Sequence, residues 1–161
     1  QKGNYGEFLT ELEMYEMGDL ENIMLDDVKL KTIDDKTHQG IDLIFKNNTP
    51  PPEIVIVESK FRTKANEPKM NKNTNNVQMD DKWIEGNLED AVGKENATEI
   101  RDLLKQDKKN YEINGNTGIG NVLKLASLID ETGNVRYFEI GRNGEVLREL
   151  SKIEMEQILK N

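Results

Sequence analysis

Two carboxylates and an ammonium stand where two short apolar runs meet polar sequence. Asp42 sits within GIDLIF at 40–45, and Glu58 follows EIVIV at 53–57, with Lys60 two residues further on. Side chains alternate between the faces of a β-strand, so Glu58 and Lys60 share one face and Ser59 takes the other. If the two runs are adjacent strands, Asp42 and Glu58 come to the same edge of a sheet. Paired carboxylate oxygens suit a hard cation such as Mg2+, which keeps several waters and takes one or two protein carboxylates beside a substrate phosphate. A lysine next to them can orient the attacking water or, as the neutral amine, deprotonate it, and as an ammonium it can balance the charge that develops on a phosphorane-like state. The chemistry indicated is metal-assisted hydrolysis of a phosphodiester. The structural alternative is that Asp42 merely ends a strand and that Glu58 and Lys60 form a rim ion pair of small energetic value.

The elements that must position these groups follow from periodicity. Residues 6–24 lack proline and place Leu9, Leu12, Leu20 and Ile23 near helical spacing, which predicts a helix bent or ended near Gly18. Residues 27–32 alternate and predict a strand, GIDLIF predicts a second, and NNTPPP at 47–52 predicts a turn. EIVIVESKF at 53–61 predicts a third strand, and its unbroken β-branched run suggests a central strand covered on both faces. The polar stretch 62–76 reads as a mobile loop. Two helices are expected next, over 77–92 and about ATEIRDLLKQ at 97–106. A hairpin should follow, with strands in 121–130 and 134–140 joined by ETGN, then an extra strand within 142–150 and a final helix over 151–160. The expected architecture is α/β, a mixed β-sheet flanked by helices.

Composition bounds the partners. The chain has 161 residues, no cysteine and a net charge of -9, which argues against a simple electrostatic nucleic-acid binder and excludes disulfides and thiolate metal sites. The charge is unevenly placed. Residues 1–27 carry eight acids and one base, whereas 58–72 carry Lys60, Arg62, Lys64, Lys69 and Lys72 against Glu58 and Glu67. No apolar run is long enough to predict a membrane span. The first residue is Gln rather than Met, which suggests either a piece of a longer protein or a tag or cleavage scar; the chain is read here as a single domain over 1–161.

Taken in order, Gly6-Glu7 opening a helix, HQGID at 38–42, PPPEIVIVESK at 50–60 and QMDDKWI at 78–84 resemble the PD-(D/E)XK superfamily of restriction-endonuclease-like nucleases. More narrowly the set is similar to the C-terminal toxin nuclease domains of bacterial polymorphic and contact-dependent growth inhibition toxins. The resemblance covers residues 6 to about 92. It implies an αβββαβ core and a metal-dependent endonuclease acting on DNA or RNA, tRNA included. It implies metal ligation by Asp42, Glu58 and Glu7, with Lys60 as the catalytic lysine and Gln78 touching site or substrate. Glu11, one helical turn beyond Glu7, is the competing helix acid. The only histidine, His38, is an auxiliary candidate for phosphate contact, proton transfer or metal ligation. Lys64, Lys69 and Lys72 become candidate nucleic-acid contacts. The implied cofactor is Mg2+, with Mn2+ or Zn2+ in its place, and the implied partner is a cognate immunity protein. The implied location is the target-cell cytoplasm, reached by secretion or cell-surface delivery as part of a larger toxin. The rival reading is a non-catalytic binding module, either a decayed nuclease fold or an immunity-like acidic protein; none of Glu7, Asp42, Glu58 or Lys60 is lost, as decay would predict.

Overall fold

The computed structural model describes residues 2–35, 40–62, 66–72, 77–116 and 118–160. Its elements are α1 (Lys2–Met17), β1 (Leu20–Asn22), β2 (Leu43–Asn47), β3 (Ile54–Phe61), α2 (Asp81–Val92), α3 (Lys94–Asn114), β4 (Val122–Ile129), β5 (Val135–Ile140), β6 (Val146–Leu150) and α4 (Lys152–Leu159). The six strands form one open sheet in the order β1-β2-β3-β4-β5-β6. Only β3 and β4 run parallel, which requires the long crossover that α2 and α3 supply. The α/β class with a mixed sheet is thus observed, and β3 is central as its apolar run implied.

Each face of the sheet has its own core. Ile44, Ile54, Ile56 and Ala126 face α2 and α3, meeting Ile84, Leu88, Ile100 and Leu104. The alternate residues Phe45, Val55, Val57 and Leu125 face α1 and α4, meeting Met14, Met17, Met155 and Leu159. At roughly 25 cal/mol per Å2 of apolar surface removed from water, this double burial is the main term holding the layers together.

Several expected boundaries move. The first helix begins at Lys2 and ends at Met17, and Leu20 belongs to a strand, paired with Asn47. Gly18 makes that ending possible, since a Cβ there would lie 2.9 Å from the Cβ of Leu159 on α4. The strand expected over 27–32 is absent. Its backbone donors are satisfied locally: Val28 and Lys29 N–H donate to Leu25 O, and Lys31 and Thr32 N–H donate to the Asp35 carboxylate. The strand expected over 40–45 runs instead over 43–47. Buried Asn47 then closes the proline turn, its amide donating to Thr49 O and Pro52 O. The helix expected from 77 starts at Asp81, N-capped by Asp80, whose carboxylate accepts from Trp83 N–H at 2.7 Å. Its successor is longer than expected, 21 residues. Residues 68–72, expected to be mobile loop, are packed in part: Pro68 and Met70 are buried, and Lys72 bridges to Val77. No helix among the described residues is long and apolar enough to cross a membrane.

Candidate active site

β2 and β3 are antiparallel neighbours with Leu43 opposite Val57. One step further, Asp42 comes opposite Glu58. Asp42 lies just before its strand rather than within it, and its Oδ2 accepts the Ser59 N–H at 2.8 Å. That bond ties the carboxylate to the end of the central strand at the position a backbone partner would otherwise fill. The sheet therefore brings both carboxylates to one edge, as the spacing implied.

The core extends into the polar end of IVIVESK: Glu58 is 5% exposed, and Ser59 and Lys60 are half-buried. Burial holds its carboxyl well above the usual carboxylate range; the adjacent Asp42 charge adds to this, Lys60 opposes it, and a hydrogen bond with Asp42 and the charge of Glu7 raise it further. With Glu58 and Asp42 both ionised, no group among the described residues donates to the buried Glu58 Oε1. An ionised carboxylate with a bare oxygen beside a second carboxylate needs either a shared proton or a cation.

Gln78 links the acid to the base. Its amide N–H donates to Glu58 Oε2, while its Oε1 accepts from Lys60 Nζ at 2.7 Å and from Asn71 N–H at 3.1 Å. Lys60 Nζ stands 3.8 Å from Glu58 Oε2, on the same face. The contact is Coulombic, and the hydrogen bonding passes through the amide. Gln78 is carried by the turn 77–80, whose next residue, Met79, is buried with a φ of 71°. Lys124 on β4 reaches this turn, donating to Met79 O at 2.8 Å and Asp81 Oδ1 at 3.0 Å. Burial lowers the proton affinity of Lys124, and the Asp81 charge and hydrogen bond oppose that shift.

α1 crosses β3 at Ser59. Gly6 allows the approach, for a Cβ there would stand 3.2 Å from Ser59 Oγ and 3.1 Å from Ile129 Cδ1. Thr10, one turn on, shares a 2.8 Å hydrogen bond with Ser127 on β4. Glu7, beside Gly6, is buried and its charge reaches Glu58. Glu11 points elsewhere, accepting from Tyr15 Oη at 2.7 Å and Asn22 Nδ2 at 2.9 Å. Of the two helix acids, Glu7 is the one near the strand carboxylates.

His38 and Lys64 lie outside the described residues. Lys69 and Lys72 are exposed and line a cleft of about 450 Å3 between segment 68–72 and the Gly144–Val146 turn, beside the Asn71 that meets Gln78. A second cleft, about 410 Å3, lies against α3 and the β5–β6 turn and is lined by none of Glu7, Asp42, Glu58, Lys60 or Gln78. Among the described residues no three His, Asp or Glu side chains form a metal cage by themselves. The donor set still fits a hard cation, because Mg2+ takes one or two protein carboxylates and fills its remaining positions with water and phosphate. The bare Glu58 Oε1 facing Asp42 is the structural feature that such an ion would satisfy.

Lys124 is the contributor that periodicity did not single out. In NVLKLASLID it reads as the solvent side of an alternating strand. The available signal was indirect, since a strand parallel to β3 must be covered on both faces and its lysine then has only the helix-covered layer to enter. In known protein families, curated proteins and solved structures, nothing matches the chain, so the chemistry follows from its own geometry: two carboxylates at one sheet edge, joined to an ammonium through an amide.

Proposed function

We propose that this chain is a metal-dependent endonuclease with a restriction-endonuclease-like core, hydrolysing phosphodiester bonds of DNA or RNA. The observation that carries the reading is the convergence of Asp42, Glu58 and Lys60 at one end of β2 and β3, with the Gln78 amide bonded to both Glu58 and Lys60. The order of one helix, three antiparallel strands, a helical crossover and a parallel fourth strand agrees with an αβββαβ core. On this reading Asp42 and Glu58 hold the cation, and Glu7 adds negative charge from the helix side. When bound, a divalent ion, Mg2+ with Mn2+ or Zn2+ as substitutes, supplies positive charge for the scissile phosphate and acidifies the attacking water.

The remaining chemistry belongs to the protein's own side chains. Lys60, held by Gln78 rather than locked against Glu58, is placed to orient the attacking water and to offset charge on the phosphate in the transition state. Asn71 N–H completes the grip on Gln78 Oε1, so the amide cannot flip without losing two donors. Lys69 and Lys72 provide backbone contacts beside the site, which lets a chain of net charge -9 hold a polyanion locally. The sequence resemblance adds the setting: a toxin module carried by a longer protein, acting in the target-cell cytoplasm and neutralised by a cognate immunity protein.

Plasmid DNA and total tRNA, each incubated with the protein in Mg2+, Mn2+ or Zn2+ and in chelator, test the reading. Cleavage of at least one substrate is expected with metal and not with chelator, and Asp42→Ala or Lys60→Ala should lower it by about 100-fold or more while the variants remain folded. Intact substrates under every condition would overturn the nuclease reading and favour the acidic, non-catalytic binding module.

A further inference from the structure

The turn that presents Gln78 is fixed from the centre of the sheet. Met79 follows Gln78 directly and adopts a φ of 71°, a left-handed conformation disfavoured for any residue with a Cβ and retained only when the surroundings impose it. Three constraints impose it here. Lys124, 5% exposed, donates to the Met79 carbonyl at 2.8 Å. The same ammonium meets Asp81 Oδ1 at 3.0 Å, while Asp81 Oδ2 stands 3.4 Å from Arg142 Nε and Asp81 N–H donates to Arg142 O at 3.0 Å. On the other side the turn is pressed by Gly144, where a Cβ would lie 2.7 Å from Val77 Cγ1 and 2.8 Å from Gln78 O.

We infer that Lys124 is a positioning residue, whose ammonium anchors the Met79 carbonyl and so sets the direction in which Gln78 offers its amide to Glu58 and Lys60. Lys124 pairs with Ile56, two residues before Glu58 on the same face of the neighbouring strand, so anchor and site share one rigid support. Burying an ammonium is costly compared with an apolar side chain of similar length. Core packing alone does not require that charge; the Met79 carbonyl and the Asp81 carboxylate do. The consequence for catalysis rests on the nuclease reading, whereas the geometric consequence for the Gln78 amide does not.

Lys124→Met, which keeps the length and removes the donor, separates the two. In 15N-labelled protein the Gln78 side-chain amide is identified as the signal lost in Gln78→Ala. In Lys124→Met that signal is expected to move toward the position of solvent-exposed glutamines and to exchange at least ~10-fold faster. Where the wild type cleaves, kcat should fall roughly 10- to 100-fold with KM little changed, the range expected for small misplacement of a site group. Adding Lys124→Met to Gln78→Ala should then cost less than ~3-fold more, because neighbours acting through one another are non-additive. If Lys124→Met does not fold, Lys124→Gln, which keeps a donor but not the charge, is expected to shift the same amide signal by an intermediate amount. An unchanged Gln78 signal in the folded variant, or fully multiplicative losses in the double variant, would overturn the inference. A wild type that cleaves nothing would overturn the nuclease reading alone, the amide signal still deciding whether Lys124 positions Gln78.

Discussion

Glu58→Gln should make the metal-free protein more stable at alkaline pH, an unusual outcome for a substitution in the middle of a central strand. In the wild type Oε1 is buried without a donor and the neighbouring group is the Asp42 carboxylate. Gln retains an oxygen for the Gln78 amide and turns the bare position into an N–H donor facing Asp42. Relieving a buried unsatisfied polar group is worth about 1–3 kcal/mol. Against this, Lys60 loses a contact at 3.8 Å that is not a hydrogen bond, a loss of at most about 1 kcal/mol, and it keeps Gln78 Oε1. With that loss taken in full the net gain is about 0–2 kcal/mol, which at about 2–4 °C per kcal/mol for a domain of this size is up to about 8 °C in Tm. The sign with pH follows from the raised carboxyl. A group whose folded-state pKa lies above its unfolded value of 4.5 contributes stability that is complete below pH 4.5 and is lost as pH rises through the folded value. Gln does not titrate, so the two proteins should melt together near pH 4 and separate upward from there. Mg2+ should reverse the order at pH 8, since ligand at ~100 times its Kd adds about 2.7 kcal/mol to the wild type only. Thermal melts at pH 4 and 8, with chelator or with Mg2+, measure all four corners. A lower Tm for Glu58→Gln in chelator at pH 8 would refute the reasoning and make Glu58 the structural partner of Lys60.

Other substitutions divide the neighbouring roles. Glu7→Gln should reduce the Mg2+-dependent rise in Tm and lower cleavage, whereas Glu11→Gln, which only weakens contacts to Tyr15 and Asn22, should change Tm by no more than about 1 kcal/mol equivalent and leave cleavage intact; the reverse pattern would exchange the two acids. Ser59→Ala should raise Tm slightly, by about 1 kcal/mol equivalent, because Ser59 Oγ is buried without a partner and the bond to Asp42 comes from the main chain; calorimetry showing a loss would mean that the hydroxyl is bonded after all. Replacing both Lys69 and Lys72 with Ala should raise KM and lower the slope of log affinity against log salt by about 2, as for two phosphate contacts; an unchanged slope in a fluorescence titration would place the substrate elsewhere.

Read alone, residues 53–61 already imply the central strand, because an unbroken β-branched run can be buried only with helices on both faces. The pairing of Glu58 with Lys60 on one face is likewise contained in the strand period of two, and the order of helices and hairpin strands after residue 77 follows from local periodicity. Local pattern fails where chain neighbours compete with the sheet. Residues 27–32 alternate like a strand, but the Asp35 carboxylate and Leu25 carbonyl take their donors first. Leu20 has helical spacing with Leu9 and Leu12, yet the tight passage at Gly18 against α4 redirects it into β1.

The chemistry divides in the same way. The amino-acid order alone determines that an acid stands at the start of one apolar run and that an acid and a lysine close the next, since residue type and a period of two are local properties. Only the tertiary structure decides that Glu58 stays buried with a bare oxygen, that Glu7 rather than Glu11 faces it, and that Gln78 lies between acid and base. Those outcomes depend on how closely α1 crosses β3 and on how Lys124 and Gly144 hold the turn at Met79, distances set by packing between segments remote in sequence.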